Sequence, residues 1–501
     1  MAGSSTLEGV LIDWSLDQPV DLPRLPTGLL SREQIATEIE RRQRLKAMDA
    51  AYEAELILAM AALTPDTDDP KPGTPGARKR GWAADRELGG TSEFFAGELA
   101  LVLNRGRGTA NHLHHRAQVW AENLPATYRA LAAGELDLAR AAALAEVLGH
   151  TSPELAQKIE GLLLPGAVDL SVAKLKVRAL ELLAELDAAA EDELRDRAKK
   201  HADVFLQPRG HGMATLGAEL TADEAAEAYA VLDQLARMAK ADGDLRPIGQ
   251  IRAELFSLLL RRPGGHGQPD VAAQLTVTAT LDSLSGASTA AAGVNGVAIT
   301  AAHARELLAR IGALDLTAPD GGSLTFAITD AGGRLLATTT VAELLRIATT
   351  GCPEHPEGGC GCPVLGMPPA TDAYQPTDRQ ETFVTTRDRT CRMPNCGQRV
   401  GWADLDHTIP HACGGQTTCT NLCCLCRTDH RLKTFARGWT FRMDPDGTLH
   451  VTTPSGITRT TRPPGMRRPG MRPPAPDPPE ADHLRPPDDE PPPFSYGDPP
   501  F

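Results

Sequence analysis

All ten cysteines of this 501-residue chain fall between Cys352 and Cys426; none precedes them. A disulfide framework spreads its bridges through a small secreted fold, whereas clustered thiols with histidines nearby read as metal ligands. The chain therefore divides into a long cysteine-free part and a short part that needs a metal to staple it. The first thirty residues lack the basic and long apolar segments of a signal peptide. The longest apolar run, Leu56–Leu63, is much too short to span a bilayer. A protein of the reducing cytoplasm is expected.

The formal net charge of −14 argues against a nucleic-acid partner only until it is divided by region. Between Glu381 and Thr460 there are ten Lys/Arg against seven Asp/Glu, so a basic island sits in an acidic chain. A polyanion responds to that local field, because salt screens charges more than about 10 Å away.

Upstream, residues 1–30 are irregular and residues 31–200 read as a helical domain. Ser31 and Gln34 have capping-box spacing ahead of an Ala/Leu-rich run to about Leu63. Pro65–Arg80 has linker composition, and Ser92–Glu185 reads as amphipathic helices punctuated by Pro125, Gly134, Gly149 and Pro165. Residues 201–350 are mixed α/β. Strands are expected at Val204–Gln207, Met213–Leu220, Gln274–Leu281 and Ser323–Thr329. Helices are expected from Thr221 to about Ala241, near Gln250–Arg261, at Ala301–Ile311 and after Thr340. Residues 351–380 form a Cys-rich hairpin or linker, and 381–460 a compact C-terminal domain. The last 41 residues hold 15 of the chain's 40 prolines and too little apolar surface to order themselves. The class is α+β: a helical N-terminal domain, a mixed middle region, a small C-terminal domain with a zinc knuckle and a disordered tail.

The chemistry concentrates in 385–440. Val400–Leu405 suits a strand running into Asp406-His407 and a turn at Pro410. Gly414-Gly415 make a loop, Asn421 follows, and Cys426–Lys433 has helical character with His430 on it. Asp406 offers a carboxylate oxygen, and His430 an imidazole nitrogen, to one divalent cation such as Mg²⁺, which would polarise a phosphodiester. His407 points to the other face of the strand and suits a general base, since imidazole titrates near neutrality. Asn421 can bond a backbone carbonyl across the loop and hold His407. Lys433, Arg427, Arg431 and Arg437 are candidates for phosphates of DNA. The bland alternative is a set of ordinary polar residues around a structural zinc. For that zinc, Cys391 and Cys396, with Pro394 and Asn395 between them, make one knuckle, and Cys426 opens the helix bearing His430.

The segment Cys391–Lys433 (CRMPNCGQRVGWADLDHTIPHACGGQTTCTNLCCLCRTDHRLK) resembles the HNH endonuclease domain of the 13E12-repeat proteins of actinobacteria. Leu124–Leu136 (LPATYRALAAGEL) resembles the helical domain of unknown function, number 222, that precedes the nuclease in those proteins. The resemblance spans roughly residues 30–460. It implies a ββα-metal fold with Asp406 and His430 as catalytic-metal ligands, His407 as base and Asn421 as the orienting residue. It also implies a structural Zn²⁺ at Cys391, Cys396, Cys426 and position 429. The family has His or Cys at that last position; here it is Asp429, which shares a helical face with Cys426. Cys423 or Cys424 is the alternative fourth ligand.

Two further segments carry weaker signals. Cys352, His355, Cys360 and Cys362 have the composition of a second knuckle, against free thiols in a glycine-rich loop. Glu98–Trp120 resembles a helix-turn-helix, with Arg105, Arg107 and Arg116 and His112, His114 and His115 as candidate DNA contacts, against a merely solvated helical hairpin. Three functional readings follow: a metal-dependent DNA endonuclease, a non-catalytic DNA-binding or regulatory protein built on a nuclease fold, or an RNA-directed nuclease.

Overall fold

Ser31 begins the first helix as its spacing predicts. Its Oγ accepts from the Gln34 backbone N–H at 3.2 Å, while its own N–H donates to Gln34 Oε1 at 2.8 Å. Two otherwise orphaned donors are thereby satisfied at the start of α1, Arg32–Ala62. In this computed structural model the described residues are 24–464, apart from 75, 78–88, 188–194, 197, 201, 262–276, 295–296, 311–323, 331–332, 351–365 and 399–402.

A helical body follows: α2 Phe95–Leu103, α3 Arg107–Glu122, α4 Pro125–Ala132, α5 Leu138–Leu148, α6 Pro153–Leu163 and α7 Val172–Leu186. Asp137, Ser152 and Ser171 cap α5, α6 and α7 through their side chains. Trp120, Leu124, Leu131, Leu144, Leu148, Ile159 and Leu175 make the core, closed on one side by Ala47, Ala51 and Ala54 of α1. The small residues on α1 let the helices approach closely. Trp120 sits wholly inside and donates its indole N–H to the Ala141 carbonyl at 3.0 Å.

The middle region is mixed, as expected. Strands β1 Val204–Pro208 and β2 Ala214–Ala218 form an antiparallel hairpin. Helices α8 Ala222–Ala241 and α9 Ile248–Arg261 come next. The strand expected over 274–281 comprises only Val277–Thr278 (β3) among the described residues. The Thr280 hydroxyl accepts from the Ser283 N–H at 3.0 Å and starts the short helix α10, Leu281–Ser285, instead. Strands β4 Ala292–Val294 and β5 Val297–Ile299 complete that small sheet. Then come α11 Ala301–Arg310, the hairpin β6 Phe326–Thr329 with β7 Leu335–Thr339, and α12 Val341–Thr350.

The C-terminal part opens with α13, Asp378–Asp388. It continues through the hairpin β8 Ala403–His407 and β9 Leu422–Cys426, the helix α14 Arg427–Phe435, and the meander β10 Thr440–Met443, β11 Leu449–Thr452 and β12 Thr458–Thr461. Asp406 and His407 thus lie inside β8 rather than beyond its end. β9 has no alternation to betray it, because all five of its residues are buried. A buried charge cluster ties these pieces together. Asp388 accepts from Arg387 at 2.7 Å, Arg392 at 3.0 Å and the Cys424 N–H at 2.9 Å. The two guanidiniums reach onward to the carbonyls of Leu422 on β9 and Gly447 ahead of β11.

The N-terminal helices pack directly on this C-terminal part. Phe94 and Leu101 share one core with Cys391, Met393, Leu425, Leu432, Leu449 and Val451. Gly97 makes the approach possible, since a Cβ there would stand 2.4 Å from Leu432 Cδ1. Among the described residues, no helix is long and apolar enough to cross a membrane. The expected knuckle at Cys352–Cys362 and the Pro-rich tail from 465 lie outside the described residues.

Candidate functional site

β8 pairs antiparallel with β9, Asp406 opposite Cys423 and His407 opposite Leu422, and α14 follows β9 without an intervening loop. Asp404 and Asp406 are two apart on β8 and therefore face the same way, toward α14. His430, on the first turn of α14, lies between them. Its Nε2 is 3.5 Å from Asp406 Oδ1, and its Nδ1 is 3.0 Å from Asp404 Oδ2. Arg427 also pairs with Asp404, at 3.0 Å. Burial pushes the Asp404 carboxyl up, but the bonds from His430 and Arg427 outweigh it and hold its pKa below the usual value.

His407 is buried, yet in polar and aromatic surroundings. Its Nε2 lies 2.8 Å from Thr417 Oγ1, its ring stacks on Tyr374 with centroids 5.4 Å apart, and His411 approaches edge-on at 5.7 Å. Burial lowers its pKa below the ordinary imidazole value; His411 and Lys433 add to that, and the Asp406 carboxylate opposes it. The ring is consequently held neutral, the form that accepts a proton.

Asn421 fastens the loop between β8 and β9. Its side chain accepts from the Ile409 N–H at 2.8 Å and donates to the carbonyls of Ile409 at 3.0 Å and Gln416 at 2.9 Å. Gly415 completes the turn, where a Cβ would meet the Ile409 carbonyl oxygen at 1.9 Å.

The four candidate phosphate-binding cations separate. Arg437 is 80% exposed and 3.1 Å from Asp68, and Arg427 is 55% exposed. Lys433 and Arg431 point inward. Lys433 donates to the His407 carbonyl at 2.7 Å and pairs with Asp406 Oδ2 at 3.0 Å. Arg431 is clamped by Glu93 at 2.7 Å and by the Gly76 carbonyl. A buried guanidinium satisfied by a carboxylate and a carbonyl is not available to a phosphate.

Beside this site, the ligand atoms of Cys391, Cys396, Cys426 and Asp429 all lie within 4.8 Å of one another, and the group could hold a metal ion. Cys423 and Cys424 are not in it. Two thiols, Cys391 at 3.3 Å and Cys426 at 3.0 Å, converge on Asp429 Oδ2, and Cys396 Sγ is 4.0 Å from Cys426 Sγ. Burial pushes Asp429 up to about 7, with Cys426 reinforcing it and Arg107 opposing it. Three thiols and a buried carboxylate in one pocket form a mixed sulfur and oxygen donor set, which suits a soft-to-borderline cation such as Zn²⁺.

The second oxygen of Asp429 meets Arg107, at the start of α3. Of the arginines expected at a helix-turn-helix contact, Arg105 is exposed, but Arg107 is used here and Arg116 lies 4.9 Å over the Trp120 ring. His114 is wholly buried against Phe95, with neither ring nitrogen hydrogen-bonded. Arg105 and His112 stay exposed, whereas Arg107, at the first turn of α3, is engaged by the C-terminal part of its own chain.

Sequence reasoning missed Asp404, Tyr374 and Thr417, and named Arg107 for DNA rather than for Asp429. Asp404 was within reach, because strand alternation puts it on the face of Asp406. Tyr374 comes from a distant segment and Thr417 from the loop between β8 and β9, ten residues beyond His407, where no periodicity sets its direction.

The model for the family "Domain of unknown function (DUF222)" matches residues 77–388. The uncharacterized protein Rv3776 of Mycobacterium tuberculosis is 48% identical over 90 residues, 18% of this chain and 17% of that protein. The uncharacterized protein Rv2100 of the same organism is 39% identical over 133 residues, 26% of this chain and 22% of that protein. The matches thus cover about a fifth of these curated relatives' lengths. No solved structure matches the chain.

Proposed function

The chain belongs to the DUF222 family, and from that premise we propose that its C-terminal part, 381–460, is an HNH-type, metal-dependent endonuclease hydrolysing DNA phosphodiester bonds. One observation carries this: Asp406 Oδ1 and His430 Nε2 stand 3.5 Å apart, with the His407 imidazole on the next residue of the same strand. Two donors each about 2.1 Å from one ion and roughly at right angles stand about 3 Å apart, so the pair fits a shared divalent cation. Bound there, a Mg²⁺-like ion would polarise a phosphate oxygen and stabilise charge on the leaving oxygen.

The chain's own groups do the rest. His407, neutral for the reasons above, takes the proton of the attacking water. Asn421 keeps the loop closed through Ile409 and so keeps the end of β8 in place. Lys433 anchors α14 to β8 through the His407 carbonyl. Arg427 and Arg437 offer exposed charge to flanking phosphates without choosing a sequence. A Zn²⁺ at Cys391, Cys396, Cys426 and Asp429 staples the small domain.

Lys433 also supports a second reading. Its ammonium is already 3.0 Å from Asp406 Oδ2, a cation in place beside the candidate metal ligand. A DNA-binding protein that has lost catalysis would retain such a pair. The two readings part in one experiment, plasmid cleavage by the full-length protein across a divalent-metal series. Cutting with Mg²⁺ or Mn²⁺ that His407→Ala reduces by at least about 10²-fold, with the fold preserved, supports the nuclease. DNA binding that persists in EDTA, with no turnover under any divalent ion, selects the second reading.

A further inference from the structure

His430 has two ring nitrogens and two carboxylates to face. An ionised carboxylate can only accept. The 3.0 Å contact between Nδ1 and Asp404 Oδ2 is a full hydrogen bond, so the ring proton belongs on Nδ1. In the neutral ring, the form that binds a metal, Nε2 then carries the lone pair, and that lone pair looks across 3.5 Å at Asp406 Oδ1. Two acceptors facing each other at that distance repel unless a cation lies between them. Asp404 is itself oriented, since Arg427 donates to the same Oδ2 at 3.0 Å. It reaches His430 because β8 puts positions 404 and 406 on one face, opposite the first turn of α14.

We propose that Asp404 is a positioning residue that fixes the Nδ1–H tautomer of His430 and thereby makes Nε2, with Asp406, a ready-made ligand pair for a divalent cation. The inference rests on the metal site proposed above but not on DNA cleavage. A carboxylate behind a ligating histidine sets both the tautomer and the ring orientation, and losing such a partner typically weakens metal affinity about 10- to 100-fold.

The test uses full-length, zinc-loaded protein. Long-range ¹⁵N–¹H correlation of histidine-labelled protein without added divalent ion, with His430→Ala to assign the resonance, should show His430 as the Nδ1–H tautomer. Mn²⁺ binding followed by loss of its free electron paramagnetic signal should weaken about 10- to 100-fold in Asp404→Asn, whose amide can donate to Nδ1 and favour the opposite tautomer. Asp404→Glu should recover part of the loss. An Nε2–H tautomer in the wild-type protein overturns the proposal, with no variant needed. So does unchanged Mn²⁺ affinity in Asp404→Asn, or Mn²⁺ binding indifferent to His430→Ala. If tautomer and Mn²⁺ behave as expected while the protein cuts no DNA, this inference stands and the nuclease reading falls.

Discussion

Arg107 Nη1 lies 3.2 Å from Asp429 Oδ1, joining the first turn of α3 to the metal-ligand cluster across 322 positions of chain. The other oxygen of the same carboxylate faces the thiols of Cys391 and Cys426. One carboxylate therefore serves the candidate zinc and the contact between the helical and C-terminal parts. Arg107→Ala should cost about 1.5–3 kcal/mol in chemical denaturation, the usual range for a hydrogen bond to a charged group. Zinc should stay bound, because the three thiols remain. A variant as stable as the wild type would show that the contact contributes nothing.

Zinc removal should be more severe than any of these single contacts. A strong chelator should lower the melting temperature of the C-terminal part and free Cys391, Cys396 and Cys426 to thiol reagents, since a small domain stapled by a metal loses its folding energy with it. Asp429→Cys, which supplies a fourth thiolate, should hold zinc more tightly against a chromophoric chelator. Metal analysis finding no zinc in the purified wild type would count against the site.

Asp388 is wholly buried between Arg387 and Arg392. Replacing it with Asn leaves two guanidiniums inside without their counter-charge, which typically costs about 3–5 kcal/mol. Urea titration of Asp388→Asn should show a loss of that order; a loss under about 1 kcal/mol would mean water reaches the cluster.

The cations on α14 and just beyond it should separate by assay. Arg437→Ala should weaken DNA binding uniformly across sequences and flatten the salt dependence by about one counterion. Arg431→Ala should instead destabilise the protein, because it empties the clamp on Glu93 and the Gly76 carbonyl. The reverse pattern would place the nucleic-acid surface elsewhere.

His114 gives the fold an acid-sensitive point. Burial pulls its pKa down to about 4, below the roughly 6.5 of an unfolded histidine. Between those values the unfolded chain binds the proton and the folded one does not. The contribution is thus full above about pH 6.5 and is lost as pH falls toward 4. From pH 7 to 5 this amounts to about 2 kcal/mol. In His114→Phe the stability difference between those two pH values should shrink by about that much; an unchanged difference would mean the ring is solvated.

The amino-acid sequence by itself determined the local events. Ser31 with Gln34 set a helix start, Asp406-His407, Asn421 and His430 were legible as an ordered polar set, and Cys391, Cys396 and Cys426 as thiols gathered for one ion. Each depends on spacing along a strand or a helix turn, which the chain carries locally. Tertiary structure alone decided the partners. It brought Tyr374 and Thr417 to His407, turned Arg431 and Lys433 inward, and gave Arg107 to Asp429 rather than to solvent. The physical reason is that desolvation and charge pairing depend on which elements pack together, and a guanidinium reads the same in sequence whether it meets water, a phosphate or a buried carboxylate.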